Sequence, residues 1–258
     1  RIVVTGSQRS PDRGSSDAVE NLISAVYWAA NGPDPTGYRD SSVVVLHAGS
    51  SDGSCSVLPG CATRKYHSSR RDAFKPINQE PIAHVSLGPD GPSIEMGEPS
   101  AFDARTEAIA PMMFDESTRI AQFVADAHLQ PDMVQAAIDA DYDALLFHGT
   151  GLGHLPIADP QEDSPENTRL RIMLADHCAG GGVVVVVTQT IHGPIHMDVY
   201  DKGRDQQEMG IIGHGSLCPP SSALVKLHHL LSRDEGRDAV AEGWEQDLLG
   251  ENPPDALS

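Results

Sequence analysis

A chain of 258 residues with 37 Asp and Glu against 18 Lys and Arg, net charge −19, excludes a non-specific nucleic-acid coat or an anionic membrane surface as its main partner. Apolar residues make up 39% and aromatics 5%, which at this length still builds a core for one large domain or two modest ones. No apolar run approaches the ~20 residues of a membrane span and no leader pattern is present, so a cytoplasmic location is expected. Few lysines, more arginines and many aspartates fit a protein kept dissolved in high salt, which points to a halophile.

The chain opens on "RIVVTG", an apolar run ended by Gly6 that predicts a buried strand of a parallel sheet. Natural domains seldom start in mid-sheet, so the expectation is the C-terminal portion of a longer protein. Asp17 and Glu20 have capping-box spacing and open a helix over 17–30. "SSVVVLHA" reads as the next strand, and residues 49–63, rich in Gly, Ser and Cys, as a loop. After a basic stretch come two short strands, "IAHVSL" and "PSIEMG"; residues 97–116 lack periodicity and read as a linker.

A second unit follows, with strand "RIAQFVA", helix "PDMVQAAIDA" and strand "DALLFHG". The next helix has Ser164 as N-cap, Pro165 in its first turn and Glu166 near its positive end; it closes at "AGGG". "VVVVVTQ" is a central buried strand, a further helix begins near Ser221, and 236–249 is helical. Strand–helix alternation in both halves predicts an α/β protein with largely parallel sheets.

Four cysteines, Cys55, Cys61, Cys178 and Cys218, match no zinc ribbon or CxxC pair and read as free thiols, with Cys178 in the core. "GTGLGH" misses the full dinucleotide fingerprint, because His154 stands where its third Gly belongs and no helix follows directly; a close backbone approach is the better reading. "HGPIH" sets His192 and His196 four apart in a Gly/Pro loop, with His214 and Cys218 able to join, but no metal is expected there. Of His228 and His229, one is expected to pack and one to be solvated.

The sharpest local feature is "ATRKYHSSRRDAFKPIN", where Arg64, Lys65, Arg70, Arg71 and Lys75 crowd into one stretch of an acidic chain. A solvated or salt-bridged face, a nucleic-acid contact and a catalytic lysine near other cations all fit that pattern. Spacing alone does not choose among them.

"VVTGSQRSPDRGSSDAVENLISAV", "RKYHSSRRDAFKPIN", "LLFHGTGLGHLP" and "VTQTIHGPIHMDVYDKGRD", in this order, resemble the L-asparaginase family. Within it they are most similar to the D subunits of archaeal glutamyl-tRNA(Gln) amidotransferases. The resemblance runs from Arg1 to about Leu249. It implies the C-terminal part of the family's large N-terminal α/β domain (1–96), a linker (97–116) and a smaller flavodoxin-like α/β domain (117–258).

In that family a threonine attacks the side-chain amide of glutamine or asparagine, and a second Thr, an Asp and a Lys activate it. The family's lysine stands seven residues before the Asp of a D-x-F motif, as Lys65 precedes Asp72, so the resemblance makes Lys65 the catalytic lysine. It also makes Ser7 and Gln8 substrate-binding. Arg70 and Arg71 become structural neighbours.

The resemblance further implies an ammonia-supplying subunit that works with a kinase and tRNA-binding partner subunit. ATP and Mg would then lie in that partner, with no cofactor here; a homodimer and only indirect contact with tRNA are expected. The family's T-G-G-T and G-T-D-T motifs, which belong upstream of "RIVVTG", are not in this chain, and "GHGSLCPPSSALVKL" departs from its acidic lead-in to the last helix. The alternatives are a free-standing L-asparaginase and a non-catalytic fragment that only oligomerises or binds the partner.

Overall fold

The structure is a computed structural model that describes residues 1–34, 41–97, 112–233 and 235–252. It divides into two units, one built from residues 1–97 with 248–252 and the other from 112–247. Most of the expected linker, residues 98–111, lies outside the described residues.

The first unit holds β1 (Ile2–Val4), α1 (Ala18–Asn31), β2 (Ser42–His47), β3 (Ser54–Pro59), β4 (Thr63–Lys65), β5 (Phe74–Pro76), β6 (Ala83–Gly88) and β7 (Gly91–Met96). Five strands form one sheet in the order β1-β2-β3-β6-β7, while β4 and β5 make a separate hairpin. Only β1 and β2 run parallel; the other neighbours are antiparallel. The expectation of a largely parallel sheet therefore fails in this half. The links 48–53 and 89–90 are too short for a crossover of a dozen or more residues, so they turn the chain straight back.

β3 occupies the centre of the sheet, where a loop was expected. Ser and Pro dilute its apolar signal, yet Cys55, Val57 and Leu58 are buried. β1, expected to be buried, is instead an edge strand, and Ile2 and Val4 are 63% and 52% exposed. α1 packs Ala25 and Trp28 against Val43, Val45, Cys55 and Val85. Its opposite face leaves Val19, Leu22, Ile23 and Val26 exposed. The tail enters this unit too: the Cys61 thiol donates to the Leu249 carbonyl (2.9 Å), and the Gln79 amide donates to that of Gly250.

The expected capping box is not made. The Asp17 carboxylate accepts the N–H groups of Gln8 and Arg9, and Glu20 accepts that of Gly53 (2.8 Å). Both acids serve neighbouring loops rather than the first turn of α1.

The second unit is α/β as expected. β8 (Ile120–Val124), β9 (Ala144–Gly149) and β10 (Val183–Thr188) form a parallel sheet in the order β10-β9-β8. α2 (Pro131–Asp139) and α3 (Pro165–Ala179) are the crossovers, followed by α4 (Asp201–Glu208), α5 (Pro220–Leu231) and α6 (Gly236–Glu245). Phe123, Phe147, Leu170, Leu174, Val184 and Val186 make its core, and Cys178 packs there as expected. Ser164 precedes α3 without capping it; Asp159 accepts the N–H groups of Asp163 (2.9 Å) and Ser164 (2.8 Å) instead.

α4 was not expected, because "DKGRDQQE" has no apolar stripe. What it buries is Gly203 and Gln206. A Cβ at Gly203 would lie 2.3 Å from the Met197 carbonyl oxygen, and the Gln206 amide bridges the Leu155 N–H (2.8 Å) and the Gly153 carbonyl (3.0 Å). Close approach and hydrogen bonding take the place of apolar burial. Lys226, buried on α5, donates to the carbonyls of Trp244 (2.9 Å) and Gln246 (2.5 Å), a cation at the negative end of α6. His228 and His229 are both half-buried and meet the Phe114 ring edge-on, so neither is the freely solvated residue expected. Among the described residues, no helix is long and apolar enough to cross a membrane.

Candidate active site

The basic stretch folds as the β4–β5 hairpin, with Lys65 opposite Phe74. The Tyr66 N–H donates to the Ala73 carbonyl (2.6 Å) and the Ala73 N–H to that of Arg70 (3.1 Å), closing the tip. Arg70 grips the buried Asp72 carboxylate with two parallel bonds of 2.9 and 2.8 Å. Lys75 lies 3.5 Å from the same carboxylate and donates to the Ala48 carbonyl (3.0 Å). Arg71 pairs with Asp52 and donates to the Ser50 carbonyl (2.6 Å).

Burial pushes the Asp72 carboxyl upward, but the Lys75 charge and the Arg70 bonds outweigh it and hold the group below its ordinary range. It is an anion at neutral pH, so Arg70 and Lys75 are committed to it, and Arg71 is committed to Asp52. Lys65 differs. It is exposed, and its Nζ sits 5.7 Å from the centre of the Phe74 ring.

The loop after β1 carries Ser7, exposed, and Gln8, half-buried. Thr5 Oγ1 donates to the Val45 carbonyl (2.8 Å), and Asp17 holds the loop from below through the Gln8 and Arg9 N–H groups. Asn21 Nδ2 donates to the Gly6 carbonyl (2.8 Å) and to Asp17 (2.9 Å). Burial raises the Asp17 carboxyl, but these donors more than compensate and hold it low. Asn21 Oδ1 in turn meets His47 Nδ1 at 2.6 Å, at the end of β2.

The Ser7–Gln8 loop and the basic hairpin are therefore both tied to one segment, residues 47–53, at the C-terminal ends of the two parallel strands. Loops at that end are where α/β proteins place their ligands. Among the described residues, the Lys65, Ser7 and Gln8 side chains make no hydrogen bond to one another. The buried set Asp17, Asn21 and His47 was not anticipated. Its signal was present, since Asn21 and Ser24 interrupt the inward stripe of α1, where polar residues need partners.

In "GTGLGH", the Thr150 and His154 backbones bond to each other in a tight turn, and a Cβ at Gly149 would lie 2.6 Å from the Gly153 carbonyl carbon. Close backbone approach accounts for these glycines. His192 does not join the cluster near it, where His196, Asp198 and His214 converge; Cys218 is buried, with its thiol directed to the Pro219 carbonyl. His214 Nδ1 accepts the Met197 N–H (3.0 Å), which leaves the proton of the neutral ring on Nε2, facing Asp198 at 3.5 Å. That nitrogen has no lone pair to offer a metal.

Residues 1–96 match the family described as "Asparaginase, N-terminal", and residues 119–242 match "Glutaminase/Asparaginase C-terminal domain". The chain is 32% identical over 252 residues to the D subunit of glutamyl-tRNA(Gln) amidotransferase from Methanococcus maripaludis, covering 97% of this chain and 55% of the relative. It is 32% identical over 250 residues to the protein of the same name in Sulfolobus acidocaldarius, covering 97% and 51%. The chain thus spans about half the length of the curated relatives it matches.

Its fold is that of L-asparaginase I from Vibrio cholerae (TM-score 0.76) and the thermostable L-asparaginase from Thermococcus kodakarensis (TM-score 0.72). Each is 24% identical, over 97% of this chain and 67% of the other. With both family domains present in order on an α/β frame, the chain belongs to the glutaminase/asparaginase family.

Proposed function

We propose that this chain belongs to an amidohydrolase subunit that releases ammonia from glutamine for transamidation of Glu-tRNA(Gln). The observation that carries this reading is the basic hairpin. Arg70, Arg71 and Lys75 are bonded into the fold, while Lys65, seven residues before Asp72, is held out on the β4–β5 strand pair. In the proposed reaction a threonine of the family's upstream motifs attacks the amide carbon, giving its proton to the second threonine, whose own proton passes to Lys65 and on to the departing amide nitrogen. Ammonia leaves, and water releases the acid from the acyl-enzyme.

Ser7 and Gln8 are proposed to contact the amide donor. The functional division is 1–96, a linker at 97–116, and 117–258. ATP and Mg act in a cytoplasmic partner subunit that also binds tRNA, and the chain pairs with a second copy of itself. The exposed edge of β1 and the exposed apolar face of α1 support a chain that works inside a larger assembly, because such surfaces are usually covered.

The test is ammonia release. Residues 1–258 alone are expected to hydrolyse neither glutamine nor asparagine, because catalytic groups that act as a unit fail together. The same chain joined behind a segment bearing T-G-G-T and G-T-D-T should hydrolyse glutamine and, with partner subunit and ATP, form Gln-tRNA(Gln). Efficient hydrolysis of asparagine without any transamidation would establish the free-standing asparaginase instead.

The acidity is proposed to reflect a salt-rich cytoplasm. With 37 acidic against 18 basic side chains, self-repulsion is largely uncompensated. Raising ionic strength from 0.1 M to 1 M shortens the Debye length from ~10 Å to ~3 Å. Thermal melts in molar KCl should show a higher midpoint than in dilute buffer; a flat or falling midpoint would remove this reading.

A further inference from the structure

A second group of side chains in the first unit is arranged as ligands, and neither the hydrolysis nor the partner reading uses it. We propose that Glu20, His47 and Asp52 form a binding site for a divalent transition-metal ion of the zinc type. One ligand atom from each lies within 4.8 Å of the others. The inference rests on His47 more than on the acids.

The His47 ring is 1% exposed, and its Nε2 is buried without a hydrogen-bond partner. Its other nitrogen, Nδ1, stands 2.6 Å from Asn21 Oδ1. Asn21 spends its amide N–H groups on the Gly6 carbonyl and Asp17, so its oxygen faces His47 and receives the Nδ1 proton. The neutral ring then has its lone pair on Nε2. This is the arrangement of metal-ligating histidines, whose second nitrogen donates to an oxygen that fixes the tautomer. His214 has the reverse arrangement, with its proton on the nitrogen that faces Asp198.

The spacing fits as well. His47 Nε2 and Glu20 Oε2 are 3.2 Å apart. Two ligands at about 2.0–2.1 Å from a tetrahedral ion are separated by about 3.3 Å. A neutral Nε2 facing a carboxylate at this distance sets two lone-pair bearers against each other, and a cation between them removes that conflict. Asp52 closes the site from the solvent side. Its Oδ1 also accepts Arg71 from the hairpin. One imidazole with two carboxylates suits Zn, Co or Mn better than Ca or Mg, which favour all-oxygen sets.

The experiment uses tag-free protein stripped with EDTA and titrated with CoCl2, read by visible d–d absorption, with ZnCl2 added to displace it. One equivalent should bind at submillimolar Co2+ and give way to Zn2+. His47→Gln should abolish the band, and His196→Gln should leave it. Asp52→Asn, at an exposed position that does not threaten folding, should weaken binding about tenfold or more, the scale of losing a contact around a metal. Circular dichroism checks that each variant is folded. If His47→Gln does not fold, the Asp52→Asn and His196→Gln arms decide. No band at submillimolar Co2+, a band unchanged by Asp52→Asn, or one lost in His196→Gln would overturn the assignment.

Discussion

Lys65→Ala is expected to lower amide hydrolysis by roughly two to four orders of magnitude, the scale of lost acid–base assistance, when the chain is joined behind a segment bearing the threonine motifs. The hairpin makes this a clean test. Lys65 is exposed and touches the face of Phe74, so its removal costs little packing. Lost turnover would then report chemistry rather than unfolding. Arg70→Ala is the matched control: it strips two bonds from Asp72 but leaves Lys75 beside that carboxylate and Lys65 in place. Its effect on turnover should be much the smaller of the two. Should Arg70→Ala be the more damaging, the stretch is a binding patch and Lys65 loses its assigned role. Steady-state ammonia release from both variants, at saturating and limiting glutamine, decides between them.

The second large effect is on stability. Asp17→Ala should destabilise the first unit by about 3 kcal/mol, the upper range for hydrogen bonds to a charged group whose partners stay buried. The carboxylate is fully buried and accepts from Gln8, Arg9 and Asn21. Removing it strands all three donors beneath the Ser7–Gln8 loop. Against a typical total of about 5–15 kcal/mol, that is a large share.

The pH dependence has a definite sign. The folded carboxyl titrates below its ordinary value of 3.8, so its contribution is complete above that value. It is lost as pH falls through the lower, folded value. The gap between wild type and Asp17→Ala in urea denaturation should therefore be full at neutral pH and shrink in strong acid. A gap that widens in acid would mean that Asp17 is protonated in the folded protein and acts as a donor.

Much of this was legible in the residues. The apolar runs within "VVVVVTQ" and "DALLFHG" lie in a parallel sheet with helices over it, and each reads as a strand because its apolar positions are buried on both faces. The four motifs, in order, carried the family, and the D-x-F spacing is what the proposal for Lys65 rests on. These signals are local: a run of one chemistry, or a fixed count along the chain.

Only the tertiary structure decided the rest. β3 is a strand because it is flanked by β2 and β6, which make Ser56 as buried as Val57, and no local pattern encodes its neighbours. β1 is exposed because it lies at the edge of the sheet, a property of sheet order rather than of "IVV". α4 is a helix because Gly203 and Gln206 fit against backbone that the chain delivers from Met197 and from residues 153–155. Asp17, Asn21 and His47 became a set only when β2 brought His47 against α1, because hydrogen bonds and ligand distances are satisfied in space and residue spacing along a chain does not measure them.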